Sequence, residues 1–349
     1  MAEVRRVGML TGGGDAPGLN GVIRAVTTKC VEDYGYEVVG LKRGWKALLD
    51  PEPDTVMPLG VDDVRYILQE GGTILGSSRT NPYKNEGDAE KVVRQMEDFG
   101  VDALVAIGGD DTLGVAKRLY DDFGVQVVGC PKTIDNDLSA TDTTFGYDTA
   151  VSIATDAIDK LRTTARSHER VVVVEVMGRH AGWITWGAGL ASSANVTLIP
   201  EVEPDLDEIT RIFKERAANG EKWGLVAVSE GVTFSEDFVT QSAEKDEFGH
   251  VRLGGVAEGL AGEIEERTGI ETRHVVLGHL QRGGTPTAND RILSTRYGLR
   301  AAEAVKSGEW GQMVALRGND IVTVDLSEAT DETKTVPDDL YQDLRTFFG

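Results

Sequence analysis

Thr133-Ile134-Asp135-Asn136-Asp137 sets two carboxylates two residues apart, directly after Lys132. In an extended segment that spacing turns both side chains to one side. There, like charge raises the proton affinity of the pair, while a neighbouring ammonium or divalent cation lowers it. One of the two could accept the proton of a substrate hydroxyl during group transfer. An Asx-rich turn would account for the aspartates, but not for Lys132 and Thr133 beside them. A second carboxylate pair follows a glycine turn in Gly108-Gly109-Asp110-Asp111-Thr112. Such a pair beside a phosphate cradle suits Mg²⁺, which takes a few protein oxygens together with substrate phosphates, and Asp110 is the candidate ligand. Asp111 reads equally as a helix-start residue complementing the dipole, and Thr112 as the N-cap.

A third group is the loop Thr11-Gly12-Gly13-Gly14-Asp15-Ala16-Pro17-Gly18. Its backbone amides, and those of the helix expected to begin with Pro17 in its first turn, can hold phosphate oxygens. It is neither a Walker loop nor the spaced dinucleotide fingerprint, and a tight turn needing positive φ is the alternative. Arg79, Arg162, Arg166, Arg170, Arg179, Arg273 and Arg282 fall in or near glycine-rich strand ends or helix termini, where guanidinium forks can grip phosphate. His279, flanked by Gly278 and Gln281-Arg282-Gly283-Gly284, reads as a polar ligand contact.

These groups need a scaffold that gathers loops. Short β-branched runs at 7–10, 36–41, 103–107, 125–129, 171–176, 196–199, 225–228, 275–277 and 313–316 alternate with helical periodicity, for instance at 20–33, 88–99, 113–123, 148–161, 208–218, 256–267 and 292–305. The alternation predicts α/β layers, and near-continuous apolar runs such as Val171-Val172-Val173-Val174 predict parallel strands covered on both faces. In open α/β sheets ligands sit beyond the carboxyl ends of strands, and six expected strand ends lead into Gly, Asp, Arg, Lys or His. Residues 233–254, the least patterned segment, read as a surface insertion, and the tail from Asp325 as acidic and polar until 340–348, which could dock as a final helix.

With 349 residues, 40% of them hydrophobic, the chain can bury a core in two lobes. A formal charge of −22 argues against nucleic acid and anionic membranes as partners, so an anionic substrate must be held by a local cationic cluster. No apolar run is long enough to span a bilayer and no signal segment is evident. Cys30 and Cys130 suit buried thiols in a reducing compartment, and a cytoplasmic protein is expected.

Gly13 to Gly18, Gly72-Thr73-Ile74-Leu75-Gly76-Ser77-Ser78-Arg79, Pro131 to Asp137, Val174 to Arg179 and Gly278 to Gly284 resemble, in order, the blocks of the phosphofructokinase family over residues 4–320. The resemblance implies two Rossmann-like, three-layer α/β lobes with mainly parallel sheets and the active site in the cleft between them. The donor lobe would comprise 1–146 plus 282–332, and the fructose 6-phosphate lobe 147–281 plus 333–349. It implies Mg²⁺-assisted phosphoryl transfer to the 1-hydroxyl of fructose 6-phosphate in glycolysis, with Asp135 as base and Thr133 and Asp137 beside it. Met177, Gly178, Arg179, Glu230, His279 and Arg282 match its sugar-phosphate positions, and Arg179 is also placed to stabilise transition-state charge. Arg170 and Arg273 match arginines supplied by a neighbouring subunit, so a homodimer or homotetramer with composite sites is implied. Gly13, Gly14, Arg79, Asp111 and Lys132 match the phosphate-donor side.

The common ATP-dependent pattern carries glycine at both positions held here by Asp111 and Lys132. The aspartate fills the space an α-phosphate would need, and the lysine can reach the shorter pyrophosphate, as in the pyrophosphate-dependent branch. ATP as donor is the alternative, since Trp45 matches a position that can face adenine in ATP enzymes. Another sugar-phosphate or nucleoside kinase of this fold, and a catalytically silent regulatory subunit, are further alternatives. Thr28, Asn195, Glu221 and Trp223 stand where regulated relatives carry effector contacts, leaving Arg24 and Arg162 without most partners. An unregulated and reversible reaction is therefore expected.

Overall fold

The computed structural model describes residues 4–234, 254–330 and 332–349. The chain begins β1 (Arg6–Thr11), α1 (Leu19–Glu32), β2 (Glu37–Leu41), α2 (Lys46–Leu49), β3 (Val56–Pro58), α3 (Val61–Val64), α4 (Asp88–Asp98), β4 (Ala103–Gly108), α5 (Asp110–Phe123) and β5 (Val127–Pro131). It continues α6 (Tyr147–Ser167), β6 (Val171–Val176), α7 (Trp183–Ala191), β7 (Val196–Leu198), α8 (Leu206–Ala218), β8 (Gly224–Ser229), α9 (Val256–Thr268) and β9 (Thr272–Val276). It closes with α10 (Ala288–Ser307), β10 (Gln312–Arg317), β11 (Asp320–Asp325), α11 (Leu326–Thr330) and α12 (Asp338–Arg345).

Among the described residues two sheets form, a seven-stranded one in the order β11-β10-β5-β4-β1-β2-β3 and a four-stranded one in the order β7-β8-β6-β9. All pairings are parallel except the two edges, β2 with β3 and β10 with β11. The reason is visible in the strands. Alternate residues of β4 go to opposite faces: Ala103, Val105 and Ile107 join a core shared with α1 and α10, whereas Leu104 and Ala106 join one shared with α4 and α5. In β6, Val171 and Val173 pack toward α8 and α9, and Val172, Val174 and Val176 toward α6 and α7. Each sheet is thus a middle layer between helices.

The sequence expectations of α/β layering and of a final docked helix hold, since Tyr341 and Leu344 of α12 are buried. The antiparallel edge strands β3 and β11 were not expected, and α11 lies within the tail read as acidic and polar. Of the expected insertion at 233–254, residues 235–253 lie outside the described residues. Pro17 does not sit in the first turn of a helix: α1 starts at Leu19 after Gly18, whose φ of 112° only glycine takes readily. Among the described residues no helix is long and apolar enough to cross a membrane, and Cys30 and Cys130 are buried free thiols.

Candidate active site

Because β5, β4 and β1 are adjacent and parallel, their carboxyl ends lie together and deliver three loops side by side: Lys132 to Asp137, Gly109 to Thr112, and Gly12 to Gly14. In the second sheet β8, β6 and β9 do the same for Glu230, Met177 to Arg179, and the 3-10 turn Gly278–Arg282. The two sets meet in a cleft enclosing about 440 Å³, counting space open to solvent. Its walls carry Asp110, Asp111, Asp135 and Asp137 together with Arg79, Lys132, Arg179 and Arg282. Here is the local cationic cluster that a chain of charge −22 needs.

Close approach governs the glycines. A Cβ on Gly14 would lie 2.3 Å from Arg282 Nη1, so glycine lets that guanidinium reach across the cleft and donate to the Asp15 carbonyl at 3.1 Å. Cβ atoms on Gly12 or Gly108 would each collide with Thr112, at 2.4 and 2.3 Å. Thr112 is therefore a wedge between two glycine turns and not the expected N-cap; Gly109 holds that position without a side-chain bond. The loop amides are also used differently from expectation. Gly12 and Gly13 donate to the carbonyls of Ile107 and Ser78, so those two amides are already engaged within the protein. The helix N-terminus lining the cleft is that of α5, not α1.

The two-residue spacing of Asp135 and Asp137 does not act through an extended strand. Asn136 between them is left-handed, φ 53°, a conformation unusual outside glycine though less so for asparagine, and the turn still brings both carboxylates to the cleft. Asp135 is 4% exposed, and its Oδ1 is buried without a hydrogen-bond partner. Burial, then Asp135 and Asp110, push the Asp137 carboxyl up to about 7. Lys132, 3% exposed, donates to the Gly14 carbonyl at 2.5 Å. Burial, then Arg282, lower it to about 8, although Asp135 and Asp110 oppose the shift. For Arg179, burial works against the charge, yet Asp135 and Asp110, with Asp111 and Asp137, hold its proton more firmly than usual.

Behind the Arg179 turn, Glu230 accepts from the backbone N–H of Gly178 and Arg179, both at 3.3 Å, and burial raises its pKa. Arg179 is itself left-handed, φ 50°, and a Cβ on Gly231 would meet its carbonyl at 1.7 Å. Gln281, fully buried, accepts from Met177 N–H at 3.3 Å and donates to Gly278 O at 3.1 Å. Sequence reasoning gave it no role, although it stands inside the Gly278 to Gly284 block. His279 is exposed on the same turn.

Not every expected residue converges. Arg170 precedes β6 and Arg273 lies early in β9, so both stand at the amino edge of the second sheet, whereas Arg179 follows the carboxyl edge. A six-residue strand separates them by roughly 20 Å. Both arginines instead contact Glu271, at 3.2 and 2.5 Å. Arg162 donates to the Ser192 and Ser193 carbonyls after α7. Trp45 is 1% exposed among Leu10, Leu41 and Leu48, so it packs in the core and offers no face to an adenine.

Among the described residues no group of three or more His, Cys, Asp or Glu forms a cage for a metal ion. The carboxylates at hand suit a cation that takes one or two protein oxygens and completes its shell with water and substrate phosphate, which is the habit of Mg²⁺.

A two-lobed α/β protein with carboxylates, a lysine and arginine forks around glycine turns is built to bind a phosphorylated or polyphosphate ligand. The chain belongs to the phosphofructokinase family, whose model matches residues 6–305. It is 60% identical to the pyrophosphate–fructose 6-phosphate 1-phosphotransferase of Amycolatopsis methanolica, over 99% of this chain and 100% of the relative. To an ATP-dependent 6-phosphofructokinase of Streptomyces coelicolor it is 50% identical, over 96% of this chain and 98% of the relative. The phosphofructokinase structure from Saccharomyces cerevisiae superposes with a TM-score of 0.80 at 30% identity, over 94% of this chain and 45% of the yeast chain.

Proposed function

We propose that the protein transfers a phosphoryl group from pyrophosphate to the 1-hydroxyl of fructose 6-phosphate, reversibly and as a cytoplasmic step of glycolysis. The observation that carries the choice of donor is the Asp111 carboxylate at the start of α5, on the cleft wall with Lys132. An α-phosphate forced against that carboxylate meets both overlap and like charge, whereas pyrophosphate ends before it.

In this reading Gly14, Arg79 and Lys132 grip pyrophosphate, with Gly13 on the same stretch of cleft wall. Met177, Gly178, Glu230, His279 and Arg282 hold the sugar phosphate, with Thr133 and Asp137 beside the acceptor hydroxyl. Asp135, with an unengaged carboxylate oxygen, takes the hydroxyl proton as the hydroxyl oxygen bonds to the transferred phosphorus. The bridging P–O bond breaks and orthophosphate leaves. Arg179, surrounded by carboxylates, meets the charge that develops on the phosphoryl oxygens. Asp110 would hold Mg²⁺, which supplies charge neutralisation on the donor phosphates when bound.

The donor lobe is taken as 1–146 plus 282–332 and the sugar lobe as 147–281 plus 333–349, a division supported by which sheet each strand joins. Arg170 and Arg273, a strand length from their own cleft, suit the site of a second copy, so the working unit would be a homodimer or homotetramer. Effector control is not expected. Asn195 is bonded to Gly349, its Nδ2 donating at 2.7 Å, Glu221 is paired with Arg216 at 2.7 Å, and Arg216 lies over Trp223.

Asp111→Gly tests the donor argument. It should raise kcat/KM for ATP relative to pyrophosphate by about a hundredfold, the equivalent of ~3 kcal/mol of relieved repulsion. An unchanged ratio in the folded variant would remove Asp111 as the donor determinant.

A further inference from the structure

The catalytic turn is held from behind by a residue nearly two hundred positions away, in the tail beyond the stretch matched by the family model, residues 6–305. Lys334 Nζ donates to Asn136 Oδ1 at 3.1 Å, to Thr141 O at 2.9 Å and to Asp142 O at 2.8 Å. Three acceptors match the three donors of an ammonium. The main chain joins in: Lys334 N–H donates to Asp137 O at 2.8 Å, and Thr333 forms an antiparallel bridge with Leu138. On the far side, Trp183 at the start of α7 donates its indole N–H to Lys334 O at 2.9 Å, with its ring 5.4 Å from Nζ.

Asn136 is the residue this clamp grips, and its left-handed backbone, φ 53°, is what turns Asp135 and Asp137 toward one cleft. The same Oδ1 accepts from Thr144 N–H at 3.1 Å, and Thr144 Oγ1 donates to Thr133 O at 2.7 Å. Side chain, tail strand and turn thus over-determine an uncommon conformation at the reacting end of the site, as strained functional backbone requires. Burial lowers Lys334 to about 8 despite the help of Asp142 and Asp137, so keeping an ammonium here has a cost that a merely apolar tail contact would avoid.

We propose that Lys334 is a positioning residue for the transfer reaction, fixing the Asp135-Asn136-Asp137 turn through Asn136 without touching substrate. The proposal rests on the reading of Asp135 and Asp137 given above. The test has an arm that does not depend on that reading.

Lys334→Met keeps the length and apolar stem but removes all three donors. In the full-length protein it should lower kcat at least tenfold, with KM for fructose 6-phosphate and pyrophosphate within about threefold of wild type. Lys334→Arg, which keeps charge and donors in a planar fork, should recover part of the loss. Amide hydrogen exchange over residues 133–144 should accelerate at least tenfold in Lys334→Met while α1 and α5 keep their protection. A folded Lys334→Met with kcat within twofold of wild type, or with unchanged exchange in the turn, would overturn the proposal. So would a loss of activity that merely tracks a lower folded fraction. If Lys334→Met does not fold, Lys334→Arg decides. Reduced kcat and faster exchange in the turn at a wild-type thermal midpoint support the proposal, and wild-type values of both, or a midpoint that falls along with them, overturn it. Wild type without pyrophosphate-dependent activity would count against the proposed reaction, while the exchange arm would still report whether Lys334 holds the turn.

Discussion

A buried carboxylate oxygen without a hydrogen bond leaves a desolvation cost of about 1–3 kcal/mol uncompensated, and Asp135 Oδ1 is such an atom, in a cleft lined by cations. A substrate hydroxyl would supply the missing partner. Asp135→Asn keeps size and hydrogen bonding but cannot take the proton, so kcat should fall by ~10² or more while KM for fructose 6-phosphate changes little. Steady-state rates on the folded variant check this, and near-normal turnover would remove Asp135 as the base. At this scale the gathering of residues was legible, because loops that follow the ends of adjacent parallel strands lie side by side, and those carrying Asp110, Asp135, Arg179 and Arg282 line one cleft. Illegible were roles set by contacts distant in sequence. Thr112 reads as a cap until Gly12 and Gly108 are seen pressed against it. Lys334 is the lone basic residue between Arg317 and Arg345, a weak signal that only the folded turn makes meaningful.

The two sheets are joined where α6 and α10 begin, and each helix start serves the other. Asp290 in the first turn of α10 is fully buried and accepts from Gly146 N–H at 2.9 Å and from Thr149 N–H at 2.8 Å, capping α6 from outside. In return Thr287, the N-cap of α10, donates to Asp148 of α6 at 2.5 Å. Burial raises Asp290 to about 6, against about 3.9 for an unfolded aspartate. Between those values the native state keeps the proton that the unfolded chain releases, so this group's contribution to stability declines as pH rises through the window. Asp290→Asn does not titrate and should gain on wild type by roughly 1–3 kcal/mol between pH 4 and 6.5. Urea unfolding at both pH values measures this, and a constant gap between the two proteins would contradict it. Periodicity revealed the buried strands, since β4 is apolar throughout and β6 is apolar apart from the buried Glu175. It did not reveal the edges: β3 has three residues, one of them Pro58, and β11 is half-exposed along its length.

For the whole molecule, a charge of −22 and the proposed anionic substrate would be reconciled by arrangement. Arg79, Lys132, Arg179 and Arg282 come from separate stretches of chain and from both sheets, and meet in one cleft. Composition alone shows the repulsive field but not this local exception. Gly13, Gly14, Arg79, Asp111 and Lys132, which the family resemblance implied for the donor side, do line that cleft. The amino-edge position of Arg170 and Arg273 gives a physical reason to look for a second copy. The central claim is that this assembly uses pyrophosphate, and it is tested most directly by steady-state kcat/KM of the wild-type protein with fructose 6-phosphate and Mg²⁺, measured with pyrophosphate and with ATP. The account predicts a preference for pyrophosphate of a hundredfold or more, and an ATP value equal to or above that for pyrophosphate would contradict it.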